Sequence, residues 1–232
     1  MMRIIAAASA LVILYACGDT QRAAPAPPDP TPPAQAAPTA SAEKRDDRSG
    51  ILFVGTSLTA GYGLGAQFAY PALIQAKIDS AGLPYRVINA GISGETSAGG
   101  LRRIEWALQQ PVSVLVLELG ANDGLRGLDT DSLEHNLDQI IRRTRAKYPD
   151  SEIVIAGMQA PPNLGADYTH EFRAVYGRLA DRHNAVFIPF LLEGVAGNPA
   201  LNQSDSMHPT AEGQRIMAQT VWPYLKPLLK GN

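Results

Sequence analysis

Residues Val112 to Leu119 form a nearly unbroken apolar run. A run of this kind leaves no polar face for water, so it reads as a central parallel strand buried on both sides of a sheet. Parallel neighbours cannot be joined by a tight hairpin and need a crossover, usually a helix. The chain supplies such crossovers in alternation. Ile51 to Val54 is a short buried strand ended by Gly55, and Tyr70 to Ser80 carries Leu73, Ile74 and Ile78 at helical spacing, ending near Gly82. Arg86 to Ala90 reads as a strand, and Ala98 to Gln109 as a helix running into Pro111. A helix from about Ser132 to Lys147 places Leu133, Leu137, Ile140 and Ile141 on one side. Then come a strand at Glu152 to Gly157, a helix at His170 to Arg182 and a strand at Ala185 to Ile188. A last helix spans Thr210 to Leu229 and is expected to be interrupted at Pro223. Strand and helix alternate with no internal repeat, which predicts an α/β protein: a three-layer α/β/α sandwich around a central parallel sheet of about five strands.

The first 49 residues are of a different character. Arg3 is followed by an apolar stretch from Ile4 to Leu14 and a small residue at Ala16, the pattern of an export signal. The stretch is too short to span a bilayer, which takes about 20 apolar residues. The only cysteine lies in Leu14-Tyr15-Ala16-Cys17-Gly18, which resembles a bacterial lipobox whose cysteine is lipidated and becomes the mature N-terminus. The alternative is ordinary signal cleavage with Cys17 left as a thiol that has no disulfide partner in the chain. Ala23 to Ala42 is mostly Ala and Pro, an extended spacer, and Glu43 to Arg48 adds a mixed-charge run. The expected organisation is a signal over 1–17, a tether over 18–49 and a folded domain from Gly50 to the C-terminus. The exported protein would then sit in the periplasm, touching the membrane only through the lipid on Cys17. With Gly18 directly after the cysteine and Asp19 one place later, the outer membrane is favoured.

In a parallel sheet the loops after the strands gather along one edge, where open α/β folds keep their working groups. Gly55-Thr56-Ser57-Leu58-Thr59 follows the first strand, and its hydroxyls could do no more than cap the next helix. Other loops on that edge argue for more. They are Asn89-Ala90-Gly91-Ile92-Ser93-Gly94-Glu95-Thr96-Ser97, Glu118-Leu119-Gly120-Ala121-Asn122-Asp123-Gly124, and Asp205-Ser206-Met207-His208-Pro209 before the last helix. Acyl transfer needs a nucleophile, a base, a group to orient the base and donors for the oxyanion. Ser57 suits the nucleophile, His208 the base, and Asp205, three residues earlier, the group that holds the imidazole. Gly94 can bring a bare backbone N–H to the oxyanion and Asn122 its amide N–H.

Together the four loops resemble the sequence blocks of the SGNH hydrolases, also called GDSL esterases/lipases, in order and across the whole domain. The likeness is strongest to the bacterial multifunctional acyl-CoA thioesterase, lysophospholipase and arylesterase branch, through Ile92–Ser97 and Gly120–Gly127. The resemblance implies an ester hydrolase working through an acyl-enzyme, with no cofactor, and the Ser57 backbone N–H as a third oxyanion donor. The implied partner is a small ester or lysophospholipid, met by a monomer. The GDSL block usually has Asp where this chain has Thr56, so a carboxylate beside the nucleophile is expected to be missing. Loop hydrogen bonding and pH dependence would change with it.

A formal charge of −2 gives no electrostatic case for nucleic acid. His135 reads as a surface residue, and His170 and His183 as helix-end residues. No histidine pair has metal-ligand spacing, so no metal centre is expected. Gly55 to Gly61 lacks the Gly-Lys-Ser/Thr of a phosphate loop, and Gly61-Tyr62-Gly63-Leu64-Gly65 lacks dinucleotide spacing. There is no Gly-x-Ser-x-Gly elbow, which argues against the α/β-hydrolase fold. Asp123 has no histidine near it in sequence and yields the acid role to Asp205. Leu125, Pro161, Pro162, Leu164 and Tyr168 are candidates for an acyl-binding wall, against the plainer reading of loop packing. Polysaccharide O-acetylesterase and catalytically inactive envelope binding module remain as rival functions.

Overall fold

The structure, a computed structural model, describes residues 48–231. The signal segment, Cys17 and the Ala/Pro-rich stretch lie outside the described residues; the tether expected over 18–49 overlaps the domain, because Ser49 already opens the first strand. Five parallel strands form one sheet: β1 Ser49–Gly55, β2 Tyr85–Gly91, β3 Val114–Glu118, β4 Glu152–Ala156 and β5 Val186–Ile188. Their spatial order is β2-β1-β3-β4-β5, all pairings parallel. The chain leaves β1 in one direction to make β2, then crosses back to make β3 on the other side. That reversal opens a crevice beyond the carboxyl ends of β1 and β3, the usual place for a ligand in an open α/β sheet.

Among the described residues seven helices complete the layers: α1 Ser57–Ala60, α2 Tyr70–Ser80, α3 Ser97–Ala107, α4 Ala121–Leu125, α5 Thr130–Lys147, α6 Ala166–His183 and α7 Ala211–Leu225. Helix α2 packs against α7; α3 packs against α5, and α5 against α6. Ile51 to Val54 and all of β3 are buried, so these two strands form the floor of both cores. Burying each large apolar side chain contributes roughly 1.5–3 kcal/mol, an upper estimate. Among the described residues no helix is long and apolar enough to cross a membrane.

Some boundaries differ from the sequence reading for identifiable reasons. Helix α6 starts at Ala166, a turn earlier than expected, because its first turn is polar and shows no apolar period until Tyr168 stacks on Phe172. Pro223 does not interrupt α7; it sits two residues before the helix end, and the chain then tightens into a 3₁₀ turn over Lys226–Leu228. The single turns α1 and α4 are too short to show a period.

Candidate active site

Ser57 stands at the end of β1, where the backbone has little freedom. A Cβ on Gly55 would lie 2.1 Å from Thr59 Oγ1 and 2.6 Å from Glu118 Oε2, so only glycine fits there. Thr56 is the N-cap of α1 and accepts from the Leu58 N–H, which leaves Ser57 as the first helical residue. The first N–H groups of a helix have no intrahelical acceptor. Capping thus falls to Thr56 and leaves the Ser57 side chain free of that task.

Asp205 and His208 arrive from the other end of the chain. An antiparallel bridge between Asn202 and Pro209 closes their loop, and the Gln203 N–H donates to His208 O at 2.7 Å. Ser206 takes φ +59, the left-handed bend that lets the chain turn between the two residues. His208 Nε2 lies 3.0 Å from Ser57 Oγ, and its Nδ1 lies 2.7 Å from Asp205 Oδ2. Asp205 Oδ1 accepts the backbone N–H groups of Met207 and His208 at 2.9 and 3.0 Å. The His208 N–H bond, the imidazole bond and the Met207 N–H together pull the Asp205 carboxyl down to about 2. It is therefore ionised at any pH where the imidazole could act. The Tyr62 ring lies 4.5 Å from that of His208, and Gln203 Nε2 donates to Tyr62 O at 2.8 Å.

Gly94 and Asn122 come from the loops after β2 and β3. Gly94 has φ +78, and a Cβ there would meet nothing, so the glycine serves conformation rather than space. Arg126 donates to Gly94 O at 3.1 Å, and Asn122 Nδ2 donates to Glu95 O at 3.0 Å, keeping its second hydrogen. Glu95 is itself held by Arg103 Nε at 2.7 and 2.9 Å. Asp123 is buried and accepts both the Ser97 N–H at 2.9 Å and the Ser97 hydroxyl at 2.6 Å. Its role is to bind two loops together; it does not touch His208.

The expectation of a missing carboxylate beside the nucleophile is corrected. Glu118, the last residue of β3, reaches under the turn and accepts the Thr56 N–H at 2.9 Å, the Thr56 hydroxyl at 3.0 Å and the Thr59 hydroxyl at 2.7 Å. Burial raises its carboxyl from 4.5 to about 7, and these bonds oppose the rise without cancelling it. Sequence reasoning passed over Glu118, although a lone ionisable residue inside an apolar run was a visible signal.

A cavity of about 590 Å³ opens from Ser57 toward the ends of β4 and β5. Leu125, Pro161 and Pro162 line it, as do Met158, Phe190 and Leu192, which the sequence reading did not single out. Leu164 and Tyr168 do not line it. The Tyr168 hydroxyl donates to Leu128 O at 2.7 Å and its ring packs on Phe172, while the Leu164 side chain faces Gly127. Those two residues hold the outer loops together. His135 and His170 are exposed; His183 ends α6 but is buried, with Nε2 2.8 Å from Asp138. Among the described residues no group of three or more His, Cys, Asp or Glu could hold a metal.

A doubly wound parallel sheet with a serine and an imidazole in contact at its switch point is an arrangement suited to hydrolytic chemistry. Residues 53–216 match the model of the GDSL-like Lipase/Acylhydrolase family. The chain belongs to this family, also known as the SGNH hydrolases, and is a carboxylic ester hydrolase. It is 41% identical over 180 residues to "Esterase TesA" of Pseudomonas aeruginosa, covering 77% of this chain and 89% of that protein. It is 38% identical over 181 residues to "Thioesterase 1/protease 1/lysophospholipase L1" of Escherichia coli, covering 77% and 84%. Among solved structures, the psychrotrophic esterase EstA of Pseudoalteromonas sp., inhibited by monoethylphosphonate, superposes with a TM-score of 0.73 at 33% identity, covering 77% of this chain and 97% of that one.

Proposed function

We propose that this enzyme hydrolyses esters of apolar acyl chains through a Ser57-His208-Asp205 triad and a covalent acyl-enzyme. The observation that carries the reading is the 3.0 Å contact of Ser57 Oγ with His208 Nε2, backed by the 2.7 Å contact of Nδ1 with Asp205. Nε2 takes the hydroxyl proton as Oγ attacks the ester carbonyl. Asp205 keeps Nδ1 protonated and stabilises the imidazolium. The N–H groups of Ser57 and Gly94 and the free Asn122 Nδ2 hydrogen receive the oxyanion. Collapse breaks the bond to the leaving alcohol, which takes the proton from Nε2. Water, deprotonated by the same nitrogen, then attacks the acyl-serine and releases the acid and Ser57. A phosphonate is a tetrahedral anion like this intermediate, so inhibition of the related EstA by monoethylphosphonate supports the same chemistry here.

The cavity argues for the substrate class. Its volume of about 590 Å³ and walls of Leu125, Met158, Pro161, Pro162, Phe190 and Leu192 suit an acyl chain longer than acetyl. Aryl esters, lysophospholipids and thioesters with such chains fit the names of the related enzymes. A sugar O-acetylesterase would leave most of this apolar space empty, and a binding module would not require Ser57, His208 and Asp205 in line. The enzyme is further proposed to be an exported lipoprotein held by Cys17. Palmitate labelling that is lost in Cys17→Ala would support that, and its absence would refute it.

Hydrolysis of p-nitrophenyl acetate, butyrate and palmitate by the protein and by Ser57→Ala tests the catalytic reading. Turnover should fall by about 10⁴-fold or more in Ser57→Ala, with the longer esters preferred over acetate. No turnover above the variant on any ester would overturn it.

A further inference from the structure

Glu118 is fully buried at the end of a strand buried on both faces, where a carboxylate is costly unless donors meet it. The donors that meet it all come from the turn that carries Ser57. Thr56 and Thr59 stand on either side of the nucleophile, and both are anchored on this one side chain, 62 and 59 residues away in sequence. A second layer holds the first. The Thr59 hydroxyl is 2.9 Å from Tyr70 Oη of α2, the Tyr70 N–H donates to Gln214 Oε1 of α7, and Gln214 Nε2 donates to Leu58 O. The nucleophile turn is thus tied to the sheet below it through Glu118 and to the helices beside it through Gln214.

No cation takes part in these bonds. The groups facing Glu118 are the two threonines of the turn, the phenol of Tyr70, and beyond it Tyr176 of α6, whose hydroxyl donates to Leu119 O and which also feels Asp123. Tyr70 and Tyr176 are both held neutral by burial, and Gln214 carries no charge. Donors of Thr56 and Thr59 point at both carboxylate oxygens, an arrangement complete only when the group is ionised. Protonation adds a hydrogen that must be given to a threonine oxygen, and one of the two hydroxyls has to turn away. Thr56 Oγ1 already accepts the Leu58 N–H, so either change disturbs the first turn of α1.

We propose that Glu118 is the positioning residue of the nucleophile turn, standing beneath it, and that its ionised form keeps Ser57 Oγ in line with His208. This rests on the esterase reading above. A displacement of about 1 Å at a nucleophile can cost about 10²-fold in rate, so the effect should fall on turnover rather than on substrate binding. Because burial places its titration near neutrality, protonation of Glu118 should add its own loss of activity on the acid side.

The test is the pH profile of p-nitrophenyl butyrate hydrolysis by the full-length protein, Glu118→Gln, and the double variant Thr56→Asp/Glu118→Gln. Glu118→Gln should lower kcat about 10- to 100-fold with KM within about two-fold. Its acid limb should lack the step that belongs to Glu118 and so fall less steeply than that of the wild type. The double variant returns a carboxylate from the other side of the turn and should recover most of kcat, which lost packing alone would not allow. Wild-type kcat in Glu118→Gln, a loss with an unchanged acid limb, or a double variant as slow as the single one would each overturn the inference. If Glu118→Gln does not fold by circular dichroism, Thr59→Val removes one donor and should move the acid limb to higher pH; an unmoved limb overturns the inference. A wild type without Ser57-dependent turnover would instead sink the esterase reading and the inference with it.

Discussion

Asn122 has two amide hydrogens, one in a structural bond and one available for the proposed oxyanion role. One Nδ2 hydrogen goes to Glu95 O at 3.0 Å and fixes the amide; the other faces the cavity beside Ser57 and Gly94. Asn122→Ala removes both, so kcat should fall about 10²- to 10³-fold with KM nearly constant, as for one lost oxyanion donor. Steady-state kinetics on p-nitrophenyl butyrate checks this, and a change confined to KM would remove Asn122 from the oxyanion site. Asp205 works at the same scale. Two backbone N–H groups hold one of its oxygens, and so the other is aimed at His208 Nδ1 without help from a second element.

At the scale of elements, the site depends on clamps between loops that belong to different strands. Asp123 in α4 holds the first residue of α3 through two bonds, and Asn136 of α5 adds a third to the Ser97 hydroxyl at 2.9 Å. Asp123→Ala would leave a buried N–H and a hydroxyl short of acceptors, at roughly 1–3 kcal/mol for each unsatisfied group. Urea unfolding should therefore show a loss of about 2–6 kcal/mol, accompanied by slower turnover because Gly94 and Asn122 lose their common reference. Gly120 shows how tightly α4 is set down. It adopts φ +114, and a Cβ there would come within 2.1 Å of the Tyr176 hydroxyl.

Across the whole molecule, two carboxylates with opposite shifts should leave separate marks on stability. Glu118 rises from 4.5 to about 7, so between these values the folded protein keeps a proton that the unfolded chain releases. Stability from this group falls as pH rises through that window, and Glu118→Gln should flatten the slope. Asp205 falls from 3.8 to about 2, so between these values it is the unfolded chain that holds the extra proton. Its contribution is present above 3.8 and is lost as pH falls toward 2. Urea midpoints of wild type and Glu118→Gln from pH 4.5 to 8 would check the first window; parallel curves would contradict the buried titration.

The sequence by itself determined the alternation of strands and helices, and with it the parallel sheet, because apolar period is a local property written in neighbouring residues. It also marked Ser57, Gly94, Asn122, Asp205 and His208, since loops after parallel strands must share one edge whatever their distance along the chain. Leu164 and Tyr168 were misjudged because a loop's sequence does not say which way its side chains face. Only the tertiary structure decided that Tyr168 turns to Leu128 O while Met158, Phe190 and Leu192 make the cavity wall. Only it brought Glu118 beneath Thr56 and Thr59 and set Asp123 on Ser97. The reason is physical: a buried carboxylate is tolerated where donors converge on it, and here those donors lie about 60 residues away, beyond any local pattern.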